Sequence, residues 1–186
     1  NCYILISPHF ISNLSSKLPS NIPIYLSTTV KMVKVGDSIP SIPLQEGAPD
    51  KKVDLSQELA TGNGIIIGVP AAFSPTCSDS HIPGFIAHPK LKSAGKVFVV
   101  SVNDGFVMNA WGKSLDADKS SGIRFLGDAS GEFSRAFDVE FPAAPLLGTN
   151  RSKRYAVVTG DGKVKSVHIE PDNIGAEVST ADKILG

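Results

Sequence analysis

The sequence is short of cysteine, of net charge and of long apolar runs, and each shortage excludes something. Cys2 and Cys77 are the only cysteines in 186 residues. Two cysteines do not make a disulfide framework, and without a Cys-x-x-Cys pair they offer no zinc site. A reducing compartment suits such a chain better than an oxidising one. His9, His88 and His168 form no metal spacing with each other or with Asp and Glu. Lys and Arg together number 18, as do Asp and Glu, so the formal net charge is +0. That balance gives no general electrostatic affinity for nucleic acid or anionic membrane. The basic pairs Lys51-Lys52 and Lys153-Arg154 are too small to change this. No stretch reaches the ~18 consecutive apolar residues of a transmembrane helix.

Acidic residues are missing from 1–31, which hold six Ser and three Pro. An acid-free, Ser-rich leader resembles an organellar transit peptide, although this one also lacks Arg. The alternative is a disordered or untranslated extension, because Met32-Val33-Lys34-Val35-Gly36-Asp37 reads as a natural start. Residues 1–31 are therefore taken as an extension or transit peptide, and 32–186 as the domain. A cleaved leader points to the mitochondrion, a Met32 start to the cytoplasm. Pro8, Pro19 and Pro23 break the apolar stretches that a secretory signal needs. The final Lys183-Ile184-Leu185-Gly186 is not a peroxisomal address of the Ser-Lys-Leu type.

From Met32 onward the pattern is α/β. Ile65–Val69 and Val97–Val102 are continuous apolar runs, suited to central strands covered on both faces. A helix is expected from about Thr76 to His88, ended near Pro89, and another over Asp104–Leu115 with Asn103 or Asp104 as cap. Arg124–Leu126 reads as a short strand, and Glu132–Phe137 as a short helix with Phe133 and Phe137 on one face. Tyr155–Thr159 and Lys163–Ile169 flank Gly160-Asp161-Gly162, a hairpin signal. Thr180–Leu185 is a terminal helix. Strands alternating with helices, then a hairpin and a helix, predict a thioredoxin-like fold: a central mixed sheet flanked by helices.

The segment Pro70-Ala71-Ala72-Phe73-Ser74-Pro75-Thr76-Cys77 stands where the first strand hands over to a helix. Unpaired N–H groups and the helix dipole stabilise an anion there, so a thiol at that position ionises more readily and becomes a nucleophile. Attack by such a thiolate needs a group that orients the target and positive charge placed on the departing atom. Ser74 can offer a hydroxyl one turn from Cys77. Pro70 fixes the turn and has no N–H. The N–H groups of Thr76 and Cys77 face the same space. A guanidinium must come from elsewhere, and Arg124, Arg135, Arg151 and Arg154 all remain open on the residues alone.

Several stretches together resemble the type II (atypical, peroxiredoxin-five-like) peroxiredoxins over nearly all of 32–186. They are Gly68 through Ser78, His81-Ile82-Pro83-Gly84-Phe85, Ser101-Val102-Asn103-Asp104, Ala110-Trp111-Gly112 and Arg151-Ser152-Lys153-Arg154-Tyr155. The Ala-Ala-Phe-Ser-Pro variant and Asp172-Asn173 are similar to fungal members. The resemblance implies that Cys77 is the peroxidatic cysteine and that Ser74 stands for the usual Thr. It implies that Arg154 polarises the peroxide, with Arg151 a supporting charge, and that Pro70 and Thr76 help bind substrate. It implies reduction of hydrogen peroxide and alkyl hydroperoxides with no cofactor and no metal. A homodimer is also implied, with Phe85 and Phe106 as exposed aromatics compatible with it.

One departure matters. The stretch Gly175-Ala176-Glu177-Val178-Ser179, where many type II members carry a resolving cysteine, has none. Cys2 is the only other thiol. A one-cysteine enzyme is expected, reduced through a mixed disulfide by an external thiol, with glutathione and glutaredoxin, or thioredoxin, as the partner. The competing reading is a peroxide sensor that relays oxidation to a client protein. His81, four residues after Cys77, suggests a cysteine–histidine pair on a regular helix. The preferred reading is a packed histidine donating to backbone, because the family activates its thiolate with Arg.

Overall fold

The computed structural model describes residues 32–186, and Cys2 and the proposed leader lie outside them. Residues 43–54, unassigned from the sequence pattern, form a hairpin of β1 (Pro43–Glu46) and β2 (Ala48–Asp54). β2 is an exposed edge carrying Asp50, Lys51 and Lys52, so it shows no apolar alternation to find. Asp54 accepts from the Ser56 N–H and starts the short α1 (Leu55–Glu58). The first apolar run becomes β3 (Asn63–Gly68).

The helix expected after Cys77 is irregular. Cys77–His81 form a π-helical turn, followed by α2 (Ile82–Ala87). The Ile82 N–H reaches Cys77 O, five residues back. Pro83 supplies a reason: in a regular helix its ring would meet the carbonyl four residues earlier and it has no N–H to offer, so the wider turn relieves both.

β4 (Lys96–Ser101) carries the second apolar run. α3 (Gly105–Leu115) is capped by Asp104, which accepts from the Val107 N–H. Then come β5 (Arg124–Gly127), α4 (Glu132–Ala136), β6 (Glu140–Phe141), α5 (Ala144–Leu147), β7 (Arg151–Ser152), β8 (Tyr155–Gly160), β9 (Lys163–Ile169) and α6 (Ala181–Leu185). The turn between β8 and β9 places Asp161 at φ 50° and Gly162 at φ 75°, the paired positive angles that favour a tight two-residue hairpin.

The main sheet runs β2-β1-β5-β4-β3-β8-β9, and β6 and β7 form a separate pair. β3, β4 and β5 are mutually parallel neighbours, whereas β8 lies antiparallel to β3. This is the mixed thioredoxin-like sheet that the sequence predicts. Alternate residues of the central strands feed two cores. Ile66, Phe98 and Val100 pack with Leu44, Phe133 and Tyr155 on one face; Ile65, Ile67, Val97 and Val99 pack with Cys77, Phe85, Met108 and Trp111 on the other. Phe85 is thus fully buried, contrary to the expected exposure, because it follows the wide turn inward, while Phe106 is 62% exposed. Gly68 sits at the strand end nearest the cysteine loop. A Cβ there would lie 2.0 Å from the Tyr155 ring, so the close approach of β3 and β8 depends on that glycine.

Candidate active site

The loop leaving β3 is held from outside and strained within. The Ala72 N–H donates to Asn103 Oδ1 (3.1 Å), which also accepts from Ser101 Oγ (2.8 Å), so the end of β4 anchors the loop. Phe73 follows at φ 61°, a left-handed conformation that costs a non-glycine residue energy. Its ring is exposed and lies 6.5 Å from that of Trp111. Trp111 is itself buried, edge-on to Phe125, and its Nε1–H donates to Ser78 Oγ (3.0 Å). Trp111 therefore braces the turn that begins at Cys77.

Ser74 donates its hydroxyl to Ala71 O (3.0 Å), and its carbonyl accepts from the Ser78 N–H (2.9 Å), closing the first turn. Pro70 is buried beneath the loop. Thr76 has helical backbone and an exposed side chain, so any part it takes falls to its backbone. Cys77 is fully buried.

Of the four arginines left open by the sequence, only Arg154 reaches the cysteine. Its Nη1 donates to Cys77 Sγ at 3.2 Å. Arg124 forks onto Glu46 and also meets Glu58, while Arg135 pairs with Glu140. Arg151 donates to Val102 O (2.6 Å) and Leu147 O (3.1 Å). Its guanidinium ties the loop after β4 to α5 and does not touch Cys77. The two do not share a strand: Arg151 lies in β7, paired with β6, whereas Arg154 lies in the link that leads into β8 of the main sheet.

Arg154 is 2% exposed and is gripped by the 170–174 segment. Its Nε–H donates to Ile174 O (3.1 Å), its backbone N–H to Asn173 O (2.7 Å), and its carbonyl accepts from the Glu170 N–H (3.0 Å). Asp172 builds that segment by accepting from Ile174 N–H (3.1 Å) and Gly175 N–H (2.7 Å), bonds that hold its carboxyl below the ordinary range. Among the described residues, Arg154 Nη2 has no hydrogen-bond partner, and it remains available to a ligand oxygen.

Sequence reading undervalued one neighbour and missed two. His81 lies beside the site, with Nδ1 3.2 Å from Arg154 Nη1 and Nε2 2.9 Å from Ser179 O. It is not a partner of Cys77 in any hydrogen bond described. Burial pushes its pKa down to about 4, and the Arg154 charge adds to this against the opposing pull of Ser179 and Glu170. The ring is neutral at ordinary pH. Glu170 and Ser179 carry no local motif. The one hint is a lone carboxylate directly after the hairpin strand β9, followed by Pro171.

Known proteins resemble this chain in sequence and in fold. The chain matches the Redoxin family over residues 34–185. It is 46% identical over 157 residues to Peroxisomal membrane associated protein 20 of Schizosaccharomyces pombe, spanning 83% of this chain and 98% of that protein. Reduced Prx3 from Vibrio vulnificus, solved in complex with hydrogen peroxide, superposes with a TM-score of 0.74 at 34% identity, covering 83% of this chain and 98% of that one. Peroxiredoxin 5 from Alvinella pompejana does so with a TM-score of 0.69 at 39% identity, over 76% and 92%.

Proposed function

The chain belongs to the Redoxin family and is an atypical peroxiredoxin, a thiol-dependent peroxidase; on that premise we propose that Cys77, Ser74 and Arg154 are its reacting group and the two side chains that hold the peroxide. The observation that carries this is the Arg154 Nη1 hydrogen bond to Cys77 Sγ at 3.2 Å. A guanidinium donates only, so the sulfur is the acceptor and the positive charge lies against it. The Cys77 thiolate attacks the terminal peroxide oxygen. The S–O bond forms as the O–O bond breaks, the sulfur is oxidised to sulfenic acid, and the departing oxygen takes up a proton to leave as water or an alcohol. Arg154 Nη2 and the Ser74 hydroxyl meet the two oxygens as charge moves onto the leaving one. Pro70 closes the floor, and Thr76 contributes through its backbone. Arg151 supports the site through the Val102 loop and does not touch the substrate.

The described chain has a single cysteine, Cys77. We therefore assign resolution to an external thiol. It displaces the sulfenic hydroxyl as water and forms a mixed disulfide, and a second thiol releases Cys77. Glutathione with glutaredoxin, or thioredoxin, supplies those thiols. Because Cys77 is buried, the bulkier thiol reaches it only when the 77–81 turn opens. Exposed Phe73 (56%), in the cysteine loop, and exposed Phe106 (62%), on α3, support a homodimer, which sedimentation would measure.

For the cellular setting, the acid-free leader supports the mitochondrion and the Met32 start the cytoplasm; the name of the S. pombe relative adds the peroxisome. Among the described residues no helix is long and apolar enough to cross a membrane. Imaging of the full chain separates the three. The functional assignment itself is tested by intact mass after one equivalent of hydrogen peroxide. Gain of one oxygen at Cys77, reversed by thiol, is expected; an unreacted Cys77 would sink the assignment.

A further inference from the structure

The three groups beyond Arg154, namely His81, Ser179 and Glu170, form one continuous buried chain that the peroxide chemistry, as described, does not use. Glu170 is 2% exposed, Ser179 is 0% and His81 is 3%. Glu170 Oε1 accepts from the N–H groups of Glu177, Val178 and Ser179, each at 2.9 Å, and from Ser179 Oγ at 2.7 Å. All four bonds converge on one oxygen. Buried carboxylates persist only when so satisfied.

The direction of every proton in the chain follows from its two ends. A carboxylate only accepts, so the Ser179 hydroxyl donates to it. Ser179 O and Oγ, at 2.9 and 3.3 Å from His81 Nε2, can then only accept. The His81 proton therefore sits on Nε2. At the other end a guanidinium only donates, so Nδ1 must offer a lone pair to Arg154 Nη1 at 3.2 Å. Both ends demand the same tautomer, and a neutral ring provides it. Nη1 has two protons, one for His81 Nδ1 and one for Cys77 Sγ. Loss of the His81 acceptor leaves the guanidinium free to turn about its Nε anchor.

Resting on the peroxidase reading above, we propose that Glu170 is a positioning residue for the reaction: by clamping the 177–179 backbone it aims Ser179 O at His81 Nε2, and so fixes His81 as the acceptor that holds Arg154 against Cys77 Sγ. It touches neither peroxide nor sulfur. The groups facing His81 are Arg154 from β8's entry, Cys77 on its own turn, and Glu170 and Ser179 from the segment after β9, with the Phe85 ring edge-on at 5.6 Å.

The experiment compares Glu170→Ala, Glu170→Gln and Glu170→Asp in the full chain, each checked for folding by circular dichroism. Two quantities are read: the rate constant of Cys77 oxidation by hydrogen peroxide, and the His81 tautomer by imidazole nitrogen NMR. Glu170→Ala should slow oxidation by about 10- to 100-fold, the cost of a lost supporting bond around a reacting group. Its His81 ring should lose the pure Nε2–H signature. Glu170→Gln can keep an oxygen in the cradle and should recover to within about 3-fold of the parent. Glu170→Asp keeps the charge but withdraws the oxygen, and should fall with Ala; it carries the test should Ala not fold. A folded Ala or Asp variant that oxidises at the parent rate overturns the proposal. So does a slow variant whose His81 remains purely Nε2–H. The NMR readout needs no turnover, so an inert parent Cys77 would defeat the peroxidase reading separately.

Discussion

Two loops meet at Arg154, and they hold the site by different means. The 70–81 loop carries the proposed nucleophile; Pro70, the left-handed Phe73, the Ser74 carbonyl and the wide turn before Pro83 shape it from within, and Asn103 and Trp111 anchor it from outside. The 170–179 loop contributes no group in contact with Cys77. It is shaped by two acidic residues, Asp172 and Glu170, that gather backbone N–H groups, and its carbonyls grip the arginine. On the proposed roles, one loop presents the reacting atom and the other holds the charge set against it. Each loop has one left-handed residue, Phe73 (φ 61°) in the first and Asn173 (φ 71°) in the second. Asparagine adopts that conformation more readily than phenylalanine, and the second loop adds four hydrogen bonds gathered on one carboxylate oxygen. That division suits the proposed cycle, in which the cysteine turn opens to an external thiol while the arginine stays in place.

The sharpest break of this comparison is at the atoms themselves. Cys77→Ser removes the nucleophile from the first loop and should reduce peroxide consumption to the uncatalysed level, with the fold intact by circular dichroism. Arg154→Lys removes the group gripped by the second loop. An ammonium cannot donate at once to Ile174 O, His81 Nδ1, Sγ and a peroxide oxygen, so the rate constant for peroxide should fall by about 10²- to 10³-fold. Stopped-flow oxidation measures both. An Arg154→Lys enzyme at parental speed would mean that the second loop positions nothing the reaction needs.

The first loop was legible in the sequence and the second was not, for a physical reason. Pro, Ser, Pro and Cys at fixed spacing after an apolar run act within one turn of chain, and local constraints leave a local pattern. The apolar runs of β3 and β4 and the Asp161-Gly162 turn were readable on the same ground. The β1–β2 hairpin was not, because a solvated edge needs no alternation. Arg154 was chosen from four candidates by resemblance; spacing alone could not separate it from Arg151. Glu170, Ser179 and His81 meet across 98 residues of sequence, and hydrogen bonds between such positions impose no period. The regular helix expected at 76–88 also concealed His81's true neighbour, since the π turn redirects the ring from Cys77 toward Arg154.

Acid distinguishes the loops next, through the residue that joins them. Unfolded, His81 binds a proton below about 6.5; folded, burial keeps it neutral down to about 4. Between those values the unfolded state binds more protons, so stability falls as pH drops through this window. The full effect is about 3 kcal/mol. Glu170 adds a loss lower down. Burial alone would raise its carboxyl, but the Ser179 hydroxyl and the 177–179 N–H groups outweigh this and hold it below 4.5. Its contribution therefore disappears as pH falls through that depressed value. Urea unfolding at pH 7 and pH 4.5, on the parent and His81→Gln, measures the first term. Parallel pH slopes in the two proteins would show that the ring is not buried neutral.

The smallest expected change in rate tests whether proximity in sequence implies a shared role. Arg151 stands three residues from Arg154 and outside both loops. Its bonds to Val102 O and Leu147 O join the end of β4 to α5, and its Nε is buried without a partner. A lysine reaches one of those carbonyls but cannot fork to two, so Arg151→Lys should cost about 1–2 kcal/mol in stability. The Val102 loop adjoins Asn103, which anchors Ala72, so a small effect on the cysteine loop is expected and the peroxide rate should stay within about 3-fold of the parent. Urea unfolding and stopped-flow oxidation on the same preparation separate the two. A drop in rate as large as that of Arg154→Lys, with stability unchanged, would move Arg151 from the frame into the site and end the division between the loops.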